Sequence, residues 1–160
     1  MGKDKEIKTN VMRVLESKKI AYTGHTYDPN QAIAGDEVAA VLGQNPGQVF
    51  KTLVTVSGKG AHYVFMVPVN KELNLKAAAK AVNEKSIEMI KSKELLPLTG
   101  YIHGGCSPIG MKKLFTTTID SSVANYDKIF FSGGKIGFQV EVAFSDLQKV
   151  IPVQTADITE

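Results

Sequence analysis

The chain has 160 residues, 43% of them hydrophobic, a formal charge of +3 and one cysteine, Cys106. Length and apolar content suit one compact domain over residues 1–160, with a core that needs no staples, and a lone cysteine excludes an internal disulfide. No apolar run approaches a membrane span or a signal h-region, so a cytoplasmic protein with no membrane partner is expected; the mild, dispersed charge permits a nucleic-acid partner without demanding one.

In chain order, Lys5–Lys18 places Ile7, Val11, Val14 and Leu15 at helical spacing between charges, which predicts an amphipathic surface helix. Ile20–Tyr27 reads as extended and Asp28-Pro29-Asn30 as a turn. Gly35-Asp36-Glu37 reads as the acidic first turn of a short helix that reaches Leu42 and ends at Gly43. Val49–Val56 is β-branched and is followed by Ser57-Gly58-Lys59-Gly60, which predicts a strand, a hairpin loop and an antiparallel partner at Ala61–Val67. Asn74 is placed to cap a helix through Val82 and Ser86 another to about Lys91, with Pro97 closing that helical region. Thr99–Gly110 (TGYIHGGCSPIG) then reads as a short apolar strand running into adjacent glycines. Phe115–Ile119 is a predicted strand, Ser121–Asn125 a helical turn, and Ile129–Ser132 pairs through Gly133-Gly134-Lys135 with Ile136–Val142 before Ser145 caps a last helix to Val150. The irregular interleaving predicts an α/β (α+β) protein, with a curled, barrel-like mixed sheet and helices packed outside.

The two glycine pairs, Gly104-Gly105 and Gly133-Gly134, are either plain turns or places where a ligand or another chain segment comes close to the backbone. Lys51 shares a strand face with Val49 and Leu53. Its stem could snorkel from that apolar face, or its ammonium could stand at a pocket mouth and meet a phosphate or a developing oxyanion. The backbone N–H of Thr52 lies beside it. His103 and Cys106 have H-x-x-C spacing, but His25 and His62 supply no further ligands at a recognisable spacing, so no metal is expected. Cys106 could be a thiol nucleophile or a small buried filler. The glycine loops lack both a Gly-Lys-Ser/Thr ending and a G-x-G-x-x-G pattern, and no Ser-His-Asp or paired-carboxylate signature appears. The residues by themselves lead to a glycine-walled pocket with one lysine and no assigned nucleophile.

Three segments taken together, FKTLV around Lys51, TGYIHGGCSPIGMKK, and FSGGKIG followed by a glutamate-bearing strand, resemble the YbaK/EbsC-type aminoacyl-tRNA deacylases. The likeness runs from His25-Thr26-Tyr27 through Gly35-Asp36-Glu37 and Leu75-Lys76 to the Ser145–Val150 helix. It implies a free-standing editing enzyme that cleaves the ester of a mischarged tRNA, typically cysteinyl-tRNA(Pro), with prolyl-tRNA synthetase as partner and no cofactor. By position, Lys51 matches the family's essential lysine and Thr52 follows it. Tyr27 matches a pocket-lining tyrosine, Gly104 and Gly105 the first glycine loop, and Ser132, Gly133 and Gly134 the second. The implied chemistry uses the substrate cysteine's own thiol, which attacks its ester carbonyl and leaves as a cyclic thiolactone. Two positions depart from the family pattern: Ala34 stands where relatives carry phenylalanine, and Ile136 where an arginine is frequent. Both bear on amino-acid selectivity. A non-catalytic module of the same fold that binds an aminoacyl or nucleotide end is the alternative.

Overall fold

The computed structural model describes residues 8–160. Helix α1 (Asn10–Ser17) begins where the Thr9 hydroxyl accepts the Met12 N–H at 3.2 Å, and it buries Val11, Met12 and Leu15. The expected beginning of this helix, Lys5–Ile7, lies outside the described residues. Strand β1 (Thr23–Thr26) and helix α2 (Gly35–Leu42) follow, the helix ending as expected at Gly43, whose φ is 68°.

Strands β2 (Phe50–Ser57) and β3 (His62–Pro68) form the expected antiparallel hairpin, with Lys51 opposite Val67. Strand β3 is apolar on both faces because both are covered. Val64 and Met66 enter the main core, while Phe65 and Val67 enter a second cluster with Ala78 and Ala79 of helix α3 (Leu75–Ala81). Each such burial is worth about 1.5–3 kcal/mol, which fixes β3 inside its sheet and fixes the register of β2 beside it.

The remaining elements are β4 (Ile87–Met89), α4 (Ser92–Thr99), β5 (Thr116–Asp120), a 3-10 turn at Ser121–Asn125, β6 (Lys128–Ser132), β7 (Phe138–Ala143), α5 (Phe144–Val150) and β8 (Val153–Ala156). One sheet has the order β4-β2-β3-β5-β8, with β5 parallel to both of its neighbours; the other has the order β1-β7-β6 and is antiparallel. The main core draws on both sheets, α1 and α5: Phe50, Val54 and Ile119 meet Ile129, Phe131, Val140 and Val142, with Val11, Leu15 and Leu147 against them. The sheets are bridged where Val49 pairs with Phe130 in parallel, and among the described residues no ladder closes them into the barrel-like sheet expected.

Four local expectations are corrected. Ile87–Met89 is a strand, not part of a helix from Ser86, because Ile87 is buried in the second cluster and the segment completes the edge of β2 at Thr55–Ser57. Pro97 lies inside α4 rather than after it; the helix continues to Thr99, whose hydroxyl donates to the Leu95 carbonyl at 2.7 Å, and stops at Gly100 with φ of 88°. The segment after Gly100 is therefore irregular, not a strand. Tyr101 is buried there and its hydroxyl donates to the Ile109 carbonyl. The last helix starts at Phe144 without a side-chain cap, so Ser145 is its second residue.

Candidate functional site at the open edge of β2

In an antiparallel pair, successive residues direct their backbone groups to opposite edges of the strand. The Ser57 N–H donates to the Ala61 carbonyl and the Val69 N–H to the Val49 carbonyl, so the odd-numbered residues of β2 face β3 and the even-numbered ones face the other edge. At one end of that second edge Val49 bridges to Phe130 of β6. At the other the Ile90 N–H donates to the Val54 carbonyl, where β4 begins to pair. Thr52 lies between, with its N–H and carbonyl directed into the interval.

A cavity of about 440 Å³ opens there, within the range typical of small-ligand sites. Its walls are β2 from Phe50 to Val54, the ends of β6 and β7 at Phe131, Ser132, Phe138 and Gln139, the β4–α4 segment with Met89, Ile90 and Leu95, and the first turn of α2. That turn is set by Glu37, whose Oε1 accepts the N–H groups of Ile33 and Ala34 at 3.1 Å each. It also needs glycine at position 35, since a Cβ there would sit 2.4 Å from Val69 Cγ1.

Lys51 is the one lysine or arginine among the lining residues. Its side chain is 28% exposed and its Nζ lies 3.5 Å from Glu72 Oε2. The Thr52 Oγ1 is buried and has no hydrogen-bond partner, an arrangement that costs about 1–3 kcal/mol unless a ligand or water supplies the missing bond. Tyr27, half-buried, joins the wall from the end of β1, where its N–H donates to the Gly137 carbonyl at 3.0 Å.

The glycine loops divide in two. Gly104 lines the cavity at φ of 88°, and a Cβ on it would meet Ile33 Cγ2 at 2.9 Å; Ser132 lines the cavity from the other loop. Gly105, Gly133 and Gly134 do not line it. A Cβ at Gly105 would lie 3.1 Å from the Ile136 backbone nitrogen, one at Gly133 3.2 Å from Phe138, and one at Gly134 2.7 Å from Val11 Cγ2. The close approach anticipated for these three is therefore made by other chain segments. His103 is exposed at the rim. Cys106 is 9% exposed and burial pushes its thiol up to about 12, so it is protonated at neutral pH.

Sequence reasoning had no reason to place Val69, Met89, Ile90, Leu95 or Gln139 at the site. Gln139 is 2% exposed and exchanges two 2.8 Å hydrogen bonds with Gln44, which fixes its amide at the wall. Ala34 and Ile33 both line the pocket, so the space left by the small Ala34 is bordered by its neighbour's methyl group against Gly104.

The sequence pattern of the aminoacyl-tRNA editing domain matches residues 29–150. A protein of Enterococcus faecalis (strain ATCC 700802 / V583), described as a candidate Cys-tRNA(Pro)/Cys-tRNA(Cys) deacylase, EbsC, is 42% identical over 153 residues, covering 95% of this chain and 93% of that protein. A solved structure described as a candidate trans-editing enzyme for prolyl tRNA synthetase superposes with a TM-score of 0.82 at 24% identity, over 97% of this chain and 99% of that one. The structure of a hypothetical protein superposes at 0.86 with 21% identity, over 95% and 100%. At those identities the two structures establish the shared fold.

Proposed function

The chain belongs to the aminoacyl-tRNA editing domain family, and on that footing we propose that it is a trans-editing deacylase, one domain over residues 1–160, that clears cysteine from cysteinyl-tRNA(Pro). The observation that carries this reading is the cavity at Thr52: it holds one lysine, an exposed backbone edge and a protonated, buried thiol, and among the described residues no lining hydroxyl or thiol is hydrogen-bonded to a histidine or a carboxylate that could activate it. A site of this kind suits a substrate that brings its own nucleophile.

The substrate cysteine's thiol attacks its ester carbonyl. A C–S bond forms, the C–O bond to the terminal ribose breaks, and the thiol proton ends on the ribose oxygen, so tRNA and a cyclic thiolactone leave. The protein's task is then orientation, which can supply several kcal/mol of a barrier on its own. Lys51 offers its ammonium to a phosphate or to the carbonyl oxygen as charge develops, and the Thr52 N–H is the adjacent donor. Thr52 Oγ1 gains a partner in the bound substrate, while Tyr27, Gly104 and Ser132 shape the wall. Gly105, Gly133 and Gly134 hold the two loops in place around it. Prolyl-tRNA synthetase, which makes the error, is the proposed partner.

The test is deacylation of cysteinyl-, alanyl- and seryl-tRNA(Pro) by the purified protein, with Lys51→Ala in parallel. Fastest release from cysteinyl-tRNA(Pro), lost in the variant by roughly 10²–10³-fold, is the expected result; tight binding of all three without turnover would make the protein a binding module.

A further inference from the structure

We infer that Glu72 is the resident counter-ion of Lys51 and is displaced from it by an RNA phosphate when substrate enters, an inference that rests on the deacylase reading above. Glu72 Oε2 lies 3.5 Å from Lys51 Nζ, with the glutamate side chain 81% exposed and the lysine 28%. Among the described residues, Glu72 is the carboxylate within ion-pair distance of Lys51. The ammonium therefore stands at the boundary between cavity and solvent, held from the solvent side.

The loop that carries Glu72 is tied down. The Lys71 N–H donates to the Pro68 carbonyl at 3.0 Å, the Glu160 N–H donates to the Glu72 carbonyl at 3.0 Å, and Leu73 bridges to Thr159. The Asn74 N–H donates to the Ile158 carbonyl at 2.7 Å. Ile158 is fully buried, and its own N–H donates to the carboxylate of the buried Asp120 at 3.1 Å. Residues 158–160 thus strap the Glu72 backbone in place while its carboxylate stays in water. An exposed pair of this length changes a binding equilibrium by about fivefold at most, whereas an ammonium hydrogen-bonded to a phosphate makes a stronger, charge-assisted contact. Glu72 keeps Lys51 compensated at the rim of the empty cavity and yields it when a phosphate arrives.

A double-mutant cycle on the pair tests this. Affinity for uncharged tRNA(Pro) and single-turnover release from cysteinyl-tRNA(Pro) are measured across protein concentrations for the wild type, Glu72→Gln, Lys51→Ala and the double variant. Glu72→Gln should tighten tRNA binding and lower the half-saturating concentration by about two- to fivefold, with the saturating rate within about twofold. In the Lys51→Ala background, the same change should have no effect on either. A lower saturating rate at unchanged half-saturation, or tightening that persists without Lys51, would overturn the inference. If the wild type binds tRNA without releasing the amino acid, the deacylase reading fails while the binding arm of the cycle still decides the role of Glu72; a wild type that binds no tRNA overturns both.

Discussion

Gly105 abuts Ile136: a Cβ at position 105 would stand 3.1 Å from the Ile136 backbone nitrogen, so the two glycine-bearing loops meet backbone to backbone. The contact joins the segment after α4 to the β6–β7 hairpin and thereby sets the distance between Gly104 and Ser132 across the cavity wall.

Gly105→Val should separate the two loops. Overpacking of this kind costs about 1–3 kcal/mol, and activity should fall together with melting temperature. Gly134→Val adds a clash with Val11 Cγ2 at 2.7 Å and a φ of 94° that a branched residue tolerates poorly, so it should be the less stable of the two. Gly104→Ala, whose Cβ would reach Ile33 at the cavity wall, should lose more activity per degree of melting temperature than either. Thermal unfolding and deacylation of all three variants check the order.

Thr52→Val is the sharpest probe of the unpartnered hydroxyl. Replacing a buried, unsatisfied hydroxyl with a methyl group of similar shape should leave the melting temperature unchanged or raise it. If Thr52 Oγ1 meets substrate, the half-saturating concentration for cysteinyl-tRNA should rise by about tenfold in the same variant, the loss expected of one hydrogen bond in a dry site. Equal half-saturation for variant and wild type would leave that hydroxyl outside the site.

Alkaline stability follows from two buried acids. Burial raises Cys106 from 9.0 to about 12 and Tyr101 from 10.0 to about 12. Between the unfolded and folded values the unfolded chain holds fewer protons than the native one, so stability is fully present below pH 9 and declines as pH rises through about 12. Melting temperatures recorded from pH 8 upward should fall, and more steeply in the wild type than in Cys106→Ser, which removes one of the two groups.

The residues reveal the local half of the fold and little of the other half. The hairpin of β2 and β3, the stop of α2 at Gly43 and the cap at Asn74 rest on turn and capping chemistry within a few residues, and that chemistry is visible along the chain. Ile87–Met89 and Val153–Ala156 become strands because edges of β2 and β5, far away along the chain, are available to them. Pro97 stays inside α4 because Leu95 and Leu98 pack on the core. The site is split in the same way. Lys51, Tyr27, Thr52, Gly104 and Ser132 do converge on the cavity. The open interval that exposes Thr52 depends on where β6 leaves β2 and where β4 ends, and nothing local to residue 52 records either.

The central claim is that the attacking thiol belongs to the substrate and not to Cys106. Quenched single turnovers on cysteinyl-tRNA(Pro) and seryl-tRNA(Pro), with the wild type and Cys106→Ser, followed by intact-protein mass measurement, test it most directly. Cys106→Ser should keep its rate on the cysteinyl substrate within a few fold, the seryl substrate should be far slower with both proteins, and no aminoacyl adduct should form. A folded, tRNA-binding Cys106→Ser that releases no cysteine, or an aminoacyl group found on Cys106, would contradict the account and move the nucleophile into the protein.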